Sequence, residues 1–261
     1  MTKLKAFASH LGISFLIFLI ILYFIIFKWY PFPFFSTDGG WQGIRIIIGV
    51  DLVLGPLLTL IVFKPGKPGL KFDLSVIAIM QAGALAWGIW TVHHQRPIAA
   101  VYVDNYFAPV MLYEIKGQDM TLAKLKKFGE HPPFWIYSKL PEDSNAMQKI
   151  RLEALQMGRP IFTFTKYYHA MDENAMKIMR SRSLDMEQWV KGKPGATSIY
   201  HHFMNRHHDR KGLIFIPWHA RDKYVIIAMD SVTRKYVGIL DIAPPMPQQK
   251  FPAIGKVKKN T

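Results

Sequence analysis

The sequence predicts a membrane protein: a three-helix transmembrane N-terminal part, then an α+β extracytoplasmic domain with a C-terminal antiparallel β meander. Three observations carry this prediction. Three apolar runs fill most of residues 1–95. The composition changes at Arg96-Pro97. Three short β-rich runs, parted by turn residues, precede a Pro- and Lys-rich tail.

The apolar runs extend from about Leu11 to Phe27, Ile44 to Phe63 and Leu74 to Val92. A bilayer core about 30 Å thick takes roughly 20 apolar residues in a helix to cross. Within lipid each backbone N–H and C=O has to find its partner inside the segment, which selects helices. The first run is longer than a signal-peptide core, and the bulky WYPFPFF after it offers no small-residue cleavage site, so it is expected to be a retained anchor.

The short loops set the expected orientation. Lys3 and Lys5 precede the first span, and KPGKPGLK between spans two and three carries Lys64, Lys67 and Lys71. The positive-inside rule puts both on the cytoplasmic side. The loop between spans one and two has only Lys28, Asp38 and Arg45, and its Trp29, Tyr30 and Trp41 suit a membrane–water interface. An odd number of crossings then leaves residues 96–261 outside the cytoplasm. Residues 1–95 hold 7 of the 33 Lys+Arg and 3 of the 18 Asp+Glu, leaving a net +11 beyond them. Long domains cross largely regardless of charge. The chain has no Cys, so no disulfide framework is expected.

The second span, IRIIIGVDLVLGPLLTLIVF, is no plain anchor. Asp51 falls about 10 Å into the helix at 1.5 Å per residue. A carboxylate there costs roughly 2.5–3.5 kcal/mol, so it should face protein or water, or carry a proton. Pro56 deletes a backbone donor and should kink the helix near Leu52. Gly49 and Gly55 allow another helix to approach. Two readings stay open: Asp51 contacts a partner helix, or it bonds within the bundle near Gln81 or Trp87. The third span carries Gln81 and the small residues Ala82, Gly83, Ala84, Ala86 and Gly88. These suit packing within the bundle or a docking face for a fourth helix.

Beyond Pro97, residues 98–112 read as strand broken by turns. Helices are expected over Asp119–Phe128, Asn145–Gln156 and Asp172–Met179, with Asp172 as the candidate cap. Met147, Ile150, Leu152 and Leu155 are the candidate core positions of the second of these. LIFIPW (213–218), KYVIIAMD (223–230) and KYVGILDI (235–242) form the meander, and the irregular basic tail starts near Ala243. About 145 structured residues suffice for one domain, 96–261, after the transmembrane part, 1–95.

Motifs for chemistry are sparse. His201, His202, His207 and His208 cluster in YHHFMNRHHD, but the spacing matches no zinc protease pattern and supplies no third ligand; an exposed polar segment is expected. KGKPGATS departs from P-loop spacing and reads as a turn. No catalytic residues, metal or cofactor are assigned, and no enzyme is expected. The basic exterior lacks a recognisable nucleic-acid module, so the bilayer and a protein are the expected partners.

The stretch GVDLVLGPLLTLIVFKPGKPGLKFDLSVIAIMQAGALAWGIWTVHHQRP (49–97), with the preceding WYPFPFF and GGW, resembles the type IV pilin accessory proteins of the TfpX/TfpZ group. The likeness is close over roughly residues 1–100 and general in layout beyond. It rests on Gly49, Val50, Asp51, Leu54, Gly55, Pro56, Lys64, Pro65, Gly66, Phe72, Asp73 and Leu74. The resemblance implies a chaperone-like inner-membrane protein that stabilises one major pilin or promotes its assembly into pili. Its partners would be that pilin's transmembrane helix and periplasmic head, and other pilus assembly components. Asp51, Gly55, Pro56, Gln81 and Gly83 are the candidate helix-docking residues. A membrane-anchored sensor subunit, or a membrane enzyme acting on lipid or glycan, is the alternative.

Overall fold

The computed structural model describes residues 2–210 and 212–245. Most of the basic tail expected from Ala243 therefore lies outside the described residues. Among the described residues, three helices are long and apolar enough to cross a membrane: Lys3–Trp29, Gly40–Val62 and Leu70–His94. The first starts before the apolar run because Thr2 caps it, its hydroxyl accepting from the Lys5 backbone N–H at 3.3 Å. Lys3 and Lys5 thus ride on the helix rather than precede it.

The second span is α-helical at both ends and π-helical over Ile48–Leu54. The Gly55 N–H donates to the Val50 carbonyl, five residues back. The reason is Pro56. It has no N–H, and its ring would strike the carbonyl four residues before it; one wider turn relieves both. A kink is expected at Pro56; the structure has this widened turn before it, and Asp51 sits within it.

The C-terminal domain is a mixed seven-stranded sheet with helices on both faces. The strands are β1 (Pro97–Val103), β2 (Tyr106–Met111), β3 (Phe134–Ser138), β4 (Tyr168–Ala170), β5 (Leu213–His219), β6 (Tyr224–Asp230) and β7 (Tyr236–Leu240). The helices are α1 (Leu122–Leu125), α2 (Ser144–Met157), α3 (Glu173–Ser181), α4 (Met186–Val190) and α5 (Pro194–Arg206). Sheet order is β4-β3-β1-β2-β5-β6-β7. β1 and β2 form a hairpin closed by Asp104 and Asn105, both at positive φ, as a tight primed turn requires. β1–β3 and β2–β5 pair in parallel, and β5-β6-β7 is the expected antiparallel meander.

Alternation along the strands sorts side chains between two faces. Tyr102, Phe107, Ile216, Trp218, Ile227 and Met229 share one face with Met176 and Met179 of α3. Phe215, Ile226, Ala228 and Leu240 meet Tyr200 and Phe203 of α5 on the other. At the β1–β3 end that second face packs on Leu125 of α1.

Two expectations need correcting. In α2 only Ile150 is fully buried; Leu152 and Leu155 are 57% and 78% exposed. Positions i and i+2 on a helix are about 200° apart, so Leu152 points away from the side that Ile150 buries. KGKPGATS is a turn only up to Gly192, after which Pro194 opens α5. Proline suits a first helical turn, where its missing N–H costs nothing.

Candidate functional site

Within the membrane part, the second span turns one polar row inward. Asp51, Gly55, Pro56 and Thr59 are all buried, while Val53, Leu54, Leu57, Leu58 and Ile61 point outward. Opposite them the first span buries Ser14 and brings His10 to Thr59, with Nδ1 2.6 Å from the hydroxyl. On the third span Gln81 lies directly over Gly55, where a β-carbon would overlap its amide. Gly55 is thus the gap that lets a long polar side chain enter the bundle.

Of the five candidate residues, the fold brings Gly55 and Gln81 together and buries Pro56 beside Gly55. Asp51 is 4% exposed, and its Oδ2 has no hydrogen-bond partner among the described residues. Gly83 is exposed on the outer side of span three, with no atom near the position of a β-carbon. Ala82, Ala84 and Ala86 are exposed too. Trp87 also points outward, 69% exposed and packed on Trp90, so it is no neighbour for Asp51.

The largest departure from the sequence reading is the loop between spans one and two. Beyond Trp29, Tyr30 and Trp41, expected at the membrane interface, its Phe34 and Phe35 enter the core of the C-terminal domain. Phe34, in a helical turn at Phe34–Thr37, is fully buried and stands edge-on to Trp218, ring centres 5.1 Å apart. The Trp218 indole N–H donates to Thr37 Oγ1 at 3.1 Å. The Asp222 backbone N–H donates to the Thr37 carbonyl at 3.0 Å. Tyr30, 2% exposed, donates its hydroxyl to the Val92 carbonyl near the end of span three.

Asp38 closes this junction. Its Oδ1 accepts from the Arg221 backbone N–H at 3.1 Å, and its Oδ2 from the Thr37 hydroxyl at 2.6 Å. Burial nevertheless pushes its pKa up to about 6, a rise only partly opposed by those bonds and by the Arg221 guanidinium. Next to it Gly39 has φ +98, and a β-carbon there would overlap the Arg221 guanidinium. Sequence reasoning missed these residues. The available signal was five aromatic side chains and two prolines in the WYPFPFF stretch, more apolar surface than a solvated loop carries.

The histidines fall on and just after α5. His201 and His202 are exposed on the helix. His207 stacks on Phe203, with Nδ1 2.9 Å from the Phe203 carbonyl, and His208 Nδ1 is 3.0 Å from the Asn205 carbonyl. His201, His202 and His208 are exposed and His207 is half-buried, in line with the exposed polar segment expected before the meander.

The chain is 36% identical over 96 residues to a fimbrial assembly protein, serogroup E1, of Dichelobacter nodosus. That match covers 36% of this chain and 37% of the relative. It is 34% identical over 113 residues to the serogroup I fimbrial assembly protein of the same organism, 42% of this chain and 43% of that one. To the fimbrial assembly protein of serogroups C1 and C2 it is 38% identical over 81 residues, 30% of this chain and 61% of the relative. The chain thus spans less than two thirds of the length of each of these relatives. No protein-family model matches the chain, and no solved structure does.

Proposed function

We propose that this chain is a non-enzymatic accessory protein of type IV pilus assembly, anchored in the bacterial inner membrane. Its N-terminus lies in the cytoplasm and its C-terminal domain in the periplasm. It acts like a chaperone on one major pilin, holding the subunit or promoting its incorporation. The likeness to relatives named for fimbrial assembly supports the pilus setting.

The observation that carries the reading is the junction. Residues Tyr30–Asp38 tie the ends of the spans to the sheet, so bundle and domain present their surfaces together. Such a body suits a partner with one apolar membrane helix and a globular head outside. In this proposal the exposed small residues around Gly83 meet the partner helix, since small side chains let backbones approach closely in lipid. Gly55, Pro56 and Gln81 shape the bundle behind that face, and Asp51 offers an acceptor if the bundle opens.

A deletion strain scored for surface pili and total pilin tests the role. Loss of pili with lowered pilin, restored by the intact gene, is the expected outcome. Normal pili and normal pilin would contradict it. Gly83→Leu should then lower recovery of pilin with the protein from membranes, more than Asp51→Leu does. Unchanged recovery for Gly83→Leu would remove this face from the contact.

A further inference from the structure

The C-terminal domain carries a basic trough that the pilus reading leaves unused. Helix α3 lies across one sheet face, and a cleft opens on each side of it. The larger, about 540 Å³, lies between α3 and the turn joining β6 to β7. The smaller, about 350 Å³, lies between α3 and the β3–β4 edge of the sheet. Asn174 and Lys177 of α3 stand between the two clefts and line both; the trough is the larger cleft.

Two arginines in the larger cleft are held in place from opposite walls. Arg180 of α3 donates to Ser231 Oγ on the turn at 3.1 Å. Arg234 of the turn donates to the Met171 carbonyl, just before α3, at 3.3 Å. The turn itself is fixed by Asp230, whose Oδ1 accepts from the backbone N–H groups of Val232 and Thr233 at 2.8 and 2.9 Å. A guanidinium has five N–H donors in a rigid plane, so one anchoring bond leaves the rest to face a ligand. Among the described residues, neither arginine nor Lys177 is in an ion pair.

The charge balance points the same way. Lys177, Arg180 and Arg234 line the larger cleft against one carboxylate, Glu173. Lys139 and Lys177 line the smaller against Asp172, whose Oδ1 is occupied in capping α3 through the Ala175 N–H. Met176 adds an apolar floor and Val232 an exposed apolar rim. A single small anion needs one arginine fork. Cations spread along a trough with apolar surface between them suit an extended chain with spaced carboxylates.

We propose that this trough binds an acidic peptide segment of a partner protein, with Arg180, Arg234 and Lys177 as the carboxylate-binding residues. The proposal does not depend on the pilus reading, because its test uses a synthetic peptide. Fluorescence anisotropy of a labelled decaglutamate peptide, titrated with the full chain in detergent micelles, reads it. Lys177→Glu and Arg234→Gln should each weaken binding about tenfold or more, since each removes a charge-assisted contact to a peptide carboxylate. Lys177→Glu also serves where Arg234→Gln disturbs its turn, because Lys177 is exposed. Lys126→Gln with Lys127→Gln, outside both clefts, should leave binding unchanged. Equal loss in that pair would show diffuse attraction and overturn the site, as would unchanged binding in both cleft variants. Displacement of the peptide by inorganic phosphate at matched ionic strength would mark a point-anion site and overturn the peptide assignment.

Discussion

Asp38 and Asp51 are both buried carboxylates, 0% and 4% exposed, but their surroundings are opposites. Asp38, where the first loop meets the sheet, has a donor on each oxygen. Asp51, midway along the second span, keeps Oδ2 without a partner among the described residues. A buried polar atom left unpaired costs about 1–3 kcal/mol, whereas a satisfied one specifies a unique geometry. The difference teaches where this chain is built for definition. The junction fixes the C-terminal domain on the spans; the bundle interior leaves an acceptor unused.

The comparison breaks most readily at Trp218. It is fully buried, packs on Phe34 and Phe107, and donates to Thr37. Trp218→Ala should cost about 3–5 kcal/mol and expose the domain to protease. Thermal unfolding in detergent measures this, and a loss of less than about 1 kcal/mol would mean that the junction is loose.

The pH dependence of Asp38 comes next. Its folded pKa of about 6 lies above the ordinary 3.8, so the folded state holds the proton more tightly than the unfolded state. Its contribution to stability is full below about pH 4 and is lost as pH rises through 6, by about 3 kcal/mol at most. Asp38→Asn should flatten that part of the curve of melting temperature against pH. A parent protein with no slope between pH 4 and 6 would argue against a buried, charge-starved Asp38. Gly39→Ala is smaller in reach: positive φ and the overlap with Arg221 predict a loss of about 1–3 kcal/mol.

Asp51→Leu should have the least effect on stability. Replacing an unpartnered buried carboxylate with an apolar side chain is expected to leave the melting temperature unchanged or to raise it. A marked fall would show that Asp51 is satisfied in the bundle after all, and the contrast with Asp38 would close.

Local patterns made much of the fold legible in the sequence. Three apolar runs placed the spans, and β-rich composition with flanking turns placed β5, β6 and β7 to within about two residues. Asp172 announced the start of α3 and caps it. Pro56 suggested a kink in span two; the π turn over Ile48–Leu54 was not foreseen, because it depends on how the chain relieves the missing donor. What stayed illegible rests on distant partners. FWIYS (134–138) is short, and it becomes a strand through parallel pairing with β1. Leu152 and Leu155 look like core on α2 until the sheet decides which side of the helix it covers. Of the candidate site, the Gly55–Gln81 contact could be anticipated from a small residue facing a polar one. The bond from Trp218 to Thr37 crosses 181 positions of chain and left only an aromatic-rich loop as its trace.

The central claim is that the loop after the first span belongs to the core of the C-terminal domain. The direct test replaces residues 33–38 with a Gly-Ser linker of equal length in the full chain and follows protection of residues 97–242 by limited proteolysis in detergent. The account predicts rapid cleavage throughout the sheet while the three spans stay intact. Protection equal to that of the parent chain would contradict it.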